Sequence, residues 1–135
     1  RRRCGHGCVR SSRRIWPVSE PTQREWRFYI DDMIDFAGRV LAYTRDVDEG
    51  AFVANGLIYD ATLRNLELIG EAATHVPDEV RHAHAEIPWR MLVATRNRLI
   101  HGYLGLDDDT LWSIVHDEVP ALLRQLEALK AASAR

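Results

Sequence analysis

Arg96-Asn97-Arg98-Leu99-Ile100-His101-Gly102-Tyr103 is the stretch that decides how the rest of this 135-residue chain is read. With the residues before it, it reads as a helix. Trp89, Leu92, Val93, Leu99 and Ile100 recur at three- and four-residue spacings and mark an apolar stripe that faces a core. Arg96 falls inside that stripe, four residues after Leu92 and three before Leu99. A guanidinium there cannot stand alone, because an unpaired buried charge costs several kcal/mol. It needs a carboxylate, a phosphate or a water-filled cleft.

Asn97 and His101 lie one turn apart on a neighbouring face, so the amide is placed to orient the imidazole. Arg96 and His101 are five residues apart, about 140° around a regular helix. On one straight helix they point away from each other. They serve one site only if the helix is distorted near Gly102 or if two copies meet across a dyad, which would turn diverging groups into one cleft.

Outward from this helix the pattern stays helical. Trp26, Ile30, Met33, Ala37, Val40 and Leu41 form one stripe of a first helix over about 24–44, and Tyr29, Phe36 and Tyr43 extend it at heptad spacing. That breadth implies burial on two sides, inside a bundle and against a partner. Residues 46–50 read as a loop. A second helix is expected over about 52–75, with Leu57, Ile58, Ala61, Leu66, Ile69, Ala72, Ala73 and Val76 apolar. Gly70 in mid-helix costs about 1 kcal/mol relative to alanine, and a close helix crossing is the reason that would justify it. Arg64, Glu67 and Glu71 share a face: either they form a surface ion-pair row, or Glu67 or Glu71 pairs with an inward arginine such as Arg96.

Pro77, Asp78 and Glu79 read as the start of a short helix to about Ala85, with acids at the positive end of its dipole. His82 and His84 diverge on that helix and read as surface residues. Pro88 opens the motif helix, which should end near Gly102. Asp107-Asp108-Asp109-Thr110 admits a metal-binding reading, but it directly precedes an apolar periodic segment and so reads as helix capping. The last helix carries Leu111, Ile114, Val115, Val119, Leu122, Leu126 and Leu129, with Pro120 expected to kink or split it and fraying expected after Ala131. No strand pattern appears. The fold expected is an all-α antiparallel bundle of four to five helices over residues 24–132.

Composition bounds the function. Hydrophobic residues at 46% and charged ones at 28% suit one globular domain, and no apolar run reaches membrane-spanning length, so the expectation is a cytoplasmic protein with no membrane partner. Residues 1–25 hold seven Arg against two Glu, while residues 26–135 are net −7, within an overall charge of −2. An acidic body does not bind nucleic acid broadly, so any such contact must be local, around Arg90, Arg96, Arg98 and Arg64. Residues 1–23 read as a disordered basic tail, and a first residue of Arg rather than Met suggests an added segment. Within it Cys4-Gly5-His6-Gly7-Cys8 offers three soft ligands, but the sequence has no second cluster to complete a tetrahedral zinc site, and no metal or other cofactor is expected.

The ordered segments Leu68-Ile69-Gly70-Glu71-Ala72, Glu86-Ile87-Pro88-Trp89-Arg90 and Arg96-Asn97-x3-His101-x-Tyr103 resemble those of HEPN-domain proteins, most closely the HepT-like toxins of bacterial and archaeal toxin–antitoxin pairs. The resemblance covers roughly residues 26–129. It implies a HEPN-like bundle and the toxin of a type VII pair: a homodimeric, metal-independent endoribonuclease leaving 2′,3′-cyclic phosphate ends. On this reading Arg96 and His101 are catalytic, Asn97 and Arg98 support them, and Glu71 or Glu67 pairs structurally with the arginine. It also implies that Tyr103 accepts adenylyl groups from a partner nucleotidyltransferase, the antitoxin; the bulky negative charge would fill the phosphate site and repel RNA.

The residue types suit that chemistry. Imidazole exchanges protons near neutral pH and guanidinium presents a planar fork to phosphate oxygens. A different class of reading is a noncatalytic helical module that dimerises and docks a nucleotidyltransferase, which the acidic body favours. A third is a nucleotide-binding helical domain using Arg96 and Arg98.

Overall fold

The spacing of Ile30, Met33, Ala37, Val40 and Thr44 puts all five on one face, and in the computed structural model, which describes residues 25–102 and 106–134, all five are buried on α1 (Trp26–Thr44). Helix α1 packs against α3 (Gly56–Ala73) and against α7 (Val119–Ser133). Tyr29 near the start of α1 stacks on His75 just past the end of α3, and Asp31 pairs with Lys130 near the end of α7 at 2.9 Å. Both neighbours are therefore antiparallel to α1. Helix α5 (Trp89–Ile100) packs on the far side of α3. Two short helices, α2 (Glu49–Ala54) and α4 (Asp78–Ala83), fill the connections, and α6 (Asp108–Ser113) leads through a π-helical turn at Ile114–Glu118 into α7. Among the described residues the fold is all-α, four long helical rods with two short helices and no strand.

The expected helix over 52–75 is in fact two. Asn55 leaves the helical region and accepts a hydrogen bond from the Ile58 amide at 3.0 Å through its side chain, capping α3. Asp48 caps α2 in the same way through the Ala51 amide at 2.8 Å, so Glu49 and Gly50 are helical rather than loop. Both are residues whose short side chains satisfy otherwise unpaired amides at helix starts. Phe52 on α2 is fully buried, between Tyr59 and Trp112, whereas Leu57, expected on the apolar face, is 81% exposed on the first turn of α3.

Asp107 caps α6 by accepting from the Thr110 amide at 2.7 Å, and that bond holds its carboxyl below the ordinary aspartate value. Its neighbours are engaged too. Asp108 accepts from the Tyr59 hydroxyl at 2.8 Å; Glu49 and Asp109 are hydrogen-bonded side chain to side chain, which raises the Glu49 pKa. Burial, then the Asp108 bond, raises that of Tyr59. Among the described residues no group of three or more potential metal ligands occurs.

Pro120 has its effect one turn early. A proline ring meets the carbonyl four residues back and donates no N–H. The chain widens before it: the Val119 amide bonds to Ile114 O, five residues back, in the π-helical turn. Helix α7 then starts with Pro120 in its first turn and runs to Ser133, two residues past the expected end. No helix among the described residues is long and apolar enough to cross a membrane. Residues 1–24, with Cys4, His6 and Cys8, and residues 103–105, with Tyr103, lie outside the described residues.

Candidate active site

Gly70 sets the geometry. It is buried on α3 where α5 crosses, and a Cβ built on it would meet the Leu92 carbonyl oxygen at 2.7 Å and Arg96 Cβ closer still. Only a residue without a side chain permits this approach. The crossing presses the root of the Arg96 side chain onto α3, directly beside Glu71. Arg96 Nη2 donates to Glu71 Oε1 at 2.6 Å, so the inward arginine finds its carboxylate. Of the two acids expected as candidates, Glu67 instead accepts from Arg64 at 3.3 Å as a surface pair.

Arg96 Nη1 donates to Asn97 Oδ1 at 2.9 Å. This differs from the expected role of Asn97: its amide steadies the guanidinium, and its backbone carbonyl holds the imidazole. His101 Nδ1 meets Asn97 O at 2.7 Å. A carbonyl only accepts, so Nδ1 carries the proton and Nε2 presents its lone pair. His101 caps α5, and Gly102 follows at φ +69°, the left-handed conformation that glycine adopts without strain. The helix is regular up to that point, so Arg96 and His101 keep their divergent directions.

The guanidinium is only partly used. Of its five N–H groups, one on each terminal nitrogen is engaged, and Nε is buried with no partner among the described residues. The second hydrogens of Nη1 and Nη2 remain, on a side chain that is 27% exposed. Free N–H groups of a guanidinium suit phosphate oxygens as acceptors. Arg98 and Arg90 are exposed on α5, and neither has an ion pair among the described residues.

Ile100 departs from the expected stripe. It is 53% exposed, and Val93, one heptad earlier, is only partly buried. Trp89 alone on α5 is fully buried, with its Nε1 donating to His84 O at 3.0 Å. One contributor escaped the sequence reading. His75 Nε2 contacts the other oxygen of Glu71 at 3.3 Å, and its ring stacks on Tyr29 with centroids 4.6 Å apart. The four-residue step from Glu71 to His75 was the available signal.

Comparison with known proteins agrees with the motif. The family described as "Ribonuclease HepT-like" matches residues 33–129. A "Putative RNase" of Methanocaldococcus jannaschii is 35% identical over 78% of this chain and 97% of its own length. A "Probable ribonuclease HepT" of Thermococcus cleftensis is 32% identical over 80% of this chain and 98% of its own length. No solved structure matches the chain significantly. The match spans the Gly70 crossing, the Arg96–Glu71 pair and the capped His101 together, and the chain belongs to the HepT-like ribonuclease family of the HEPN superfamily.

Proposed function

We propose that this chain is the toxin of a HepT–nucleotidyltransferase pair and a metal-independent endoribonuclease, with a site completed by a second copy. The observation that carries the reading is the state of the two motif side chains. His101 is pinned through Nδ1 with Nε2 open, and Arg96 is held at two points with further terminal N–H groups to spare.

In the proposed reaction Nε2 of one His101 takes the proton of a ribose 2′-hydroxyl. The 2′-oxygen attacks phosphorus while Arg96 hydrogen-bonds to the non-bridging oxygens, whose charge grows in the pentavalent state. The second His101, protonated, gives its proton to the departing 5′-oxygen. The products are a 2′,3′-cyclic phosphate and a 5′-hydroxyl. Arg98 binds a flanking phosphate. A dyad supplies both histidines, and the half-exposed Ile100 beside Val93 is an apolar surface that a second copy would cover. Adenylylation of Tyr103 by the partner nucleotidyltransferase would add a bulky negative charge two residues after His101 and repel RNA.

The alternative, a noncatalytic docking module for the nucleotidyltransferase, draws its support from the net charge of −7 over residues 26–135. One experiment separates the two: purified protein, with intact mass confirming a bare Tyr103, incubated with a structured RNA in EDTA. The proposal expects cyclic-phosphate ends, reduced about 10²- to 10⁴-fold by His101→Ala and similarly by Arg96→Ala. No cleavage by the unmodified wild type would overturn it in favour of the docking module.

A further inference from the structure

Glu71 is held at both oxygens, by Arg96 at Oε1 and by His75 at Oε2. A carboxylate facing a guanidinium on its own can pair through both oxygens at once, a bidentate fork that engages two N–H groups. Here it meets Arg96 through one. The second oxygen is turned to His75, whose ring lies flat on Tyr29 at an interplanar angle of 15°. The contacts form one line from α1 to α5: the Tyr29 ring, the His75 imidazole, the Glu71 carboxylate, the Arg96 guanidinium and the Asn97 amide.

We infer that His75 is a positioning residue for Arg96: by holding Glu71 Oε2 it keeps the carboxylate on a single guanidinium N–H and leaves the remaining terminal N–H groups free for an RNA phosphate. Its Nε2 carries the proton for this, because a carboxylate only accepts. Without that donor, Glu71 turns both oxygens to the guanidinium and rotates it toward a bidentate pair, so its terminal N–H groups are no longer held in place for the phosphate. Tyr29 acts as the plate that fixes the imidazole plane, as offset aromatic stacking does. The effect on RNA rests on the nuclease reading above; the effect on the guanidinium does not.

Two substitutions separate the donor from the stack. His75→Gln keeps an N–H close to the position of Nε2 and gives up most of the ring contact. His75→Phe keeps a ring on Tyr29 and has no donor. The first readout is the Arg96 Nε–H resonance in 15N-labelled protein, assigned by its loss in Arg96→Lys. It should shift in His75→Phe and return close to the wild-type position in His75→Gln. The second is RNA cleavage. His75→Phe should lower kcat/KM about three- to fivefold, mainly through kcat, because Arg96 meets oxygens whose charge grows in the transition state, and His75→Gln should restore it.

An Arg96 resonance unmoved by His75→Phe would overturn the inference, as would a resonance or kcat/KM that follows the ring rather than the donor. If the wild type cuts no RNA, the nuclease reading fails while the resonance still decides the role of His75.

Discussion

Helices α3 and α5 cross at Gly70, yet they sit in the molecule very differently. Helix α3 is lined on two sides, by α1 and by α5, and buries residues from Thr62 to Ala73. Helix α5 buries Trp89 alone and leaves Leu92, Val93 and Leu99 partly covered and Ile100 half exposed. One is a beam of the core; the other is a shelf carried on that beam. The groups of the candidate site ride on the shelf, and their placement depends on the few contacts that fix the shelf to the beam.

That contrast can be broken at its anchor. Trp89→Ala removes the one large buried side chain of α5 and one of the two hydrogen bonds that the His84 carbonyl accepts, and it should cost about 3–5 kcal/mol in denaturant unfolding. A loss below about 1 kcal/mol would mean that α5 is held elsewhere.

It can be sharpened at the crossing. Gly70→Ala places a methyl group against the Leu92 carbonyl and Arg96 Cβ, neither of which is the yielding end of a flexible side chain. The expected overpacking is about 1–3 kcal/mol, with a proportionally larger effect on the Arg96–Glu71 pair than on the α1–α3 core. Amide hydrogen exchange would show protection falling along α5 first. Uniform loss across all helices would contradict a beam that stands without its shelf.

The smallest expected effects lie at the far end, where α2 meets α6. Asp107 has a lowered pKa, so its cap contributes above the ordinary carboxylate range and is lost as pH falls through its folded value. Glu49, hydrogen-bonded to Asp109, has a raised pKa, so its repulsion with Asp109 acts at neutral pH and is relieved as pH falls. Thermal unfolding against pH should show Asp107→Asn flattening the acid limb. Glu49→Gln should raise neutral-pH stability slightly, with the gain vanishing in acid. Opposite signs would reverse these assignments, and neither change should alter the Arg96 site.

The sequence made the beam legible and part of the shelf. The α1 stripe, the crossing implied by mid-helix Gly70, the inward Arg96 and the Asp107 cap follow from spacing and residue type, and each is present; spacing left open whether Glu67, Glu71 or neither met the arginine, and the structure selects Glu71. The break at Asn55 was hidden because Phe52 and Ile58 keep apolar character on both sides of it, although Asn-Gly after a short helix is itself a stop signal. Periodicity also could not say that Ile100 stays half exposed, since an apolar residue at the edge of a stripe has the same spacing as one inside the core. Asn97 misled for a local reason: the four-residue step to His101 is served by its carbonyl, which every residue has, while its amide turns to the adjacent guanidinium.

The central claim is that one cleft uses the His101 side chains of two copies, and mixing tests it most directly. Wild-type and His101→Ala chains in equal amounts are unfolded together and refolded as a mixture before RNA is added. Heterodimers then hold one His101 where the proposed reaction uses two. The account predicts that the mixture retains about a quarter of the activity of the same total amount of wild type, the share of wild-type homodimers. Retention of about half, with mass spectrometry confirming that heterodimers formed, would contradict it and confine the site to a single chain.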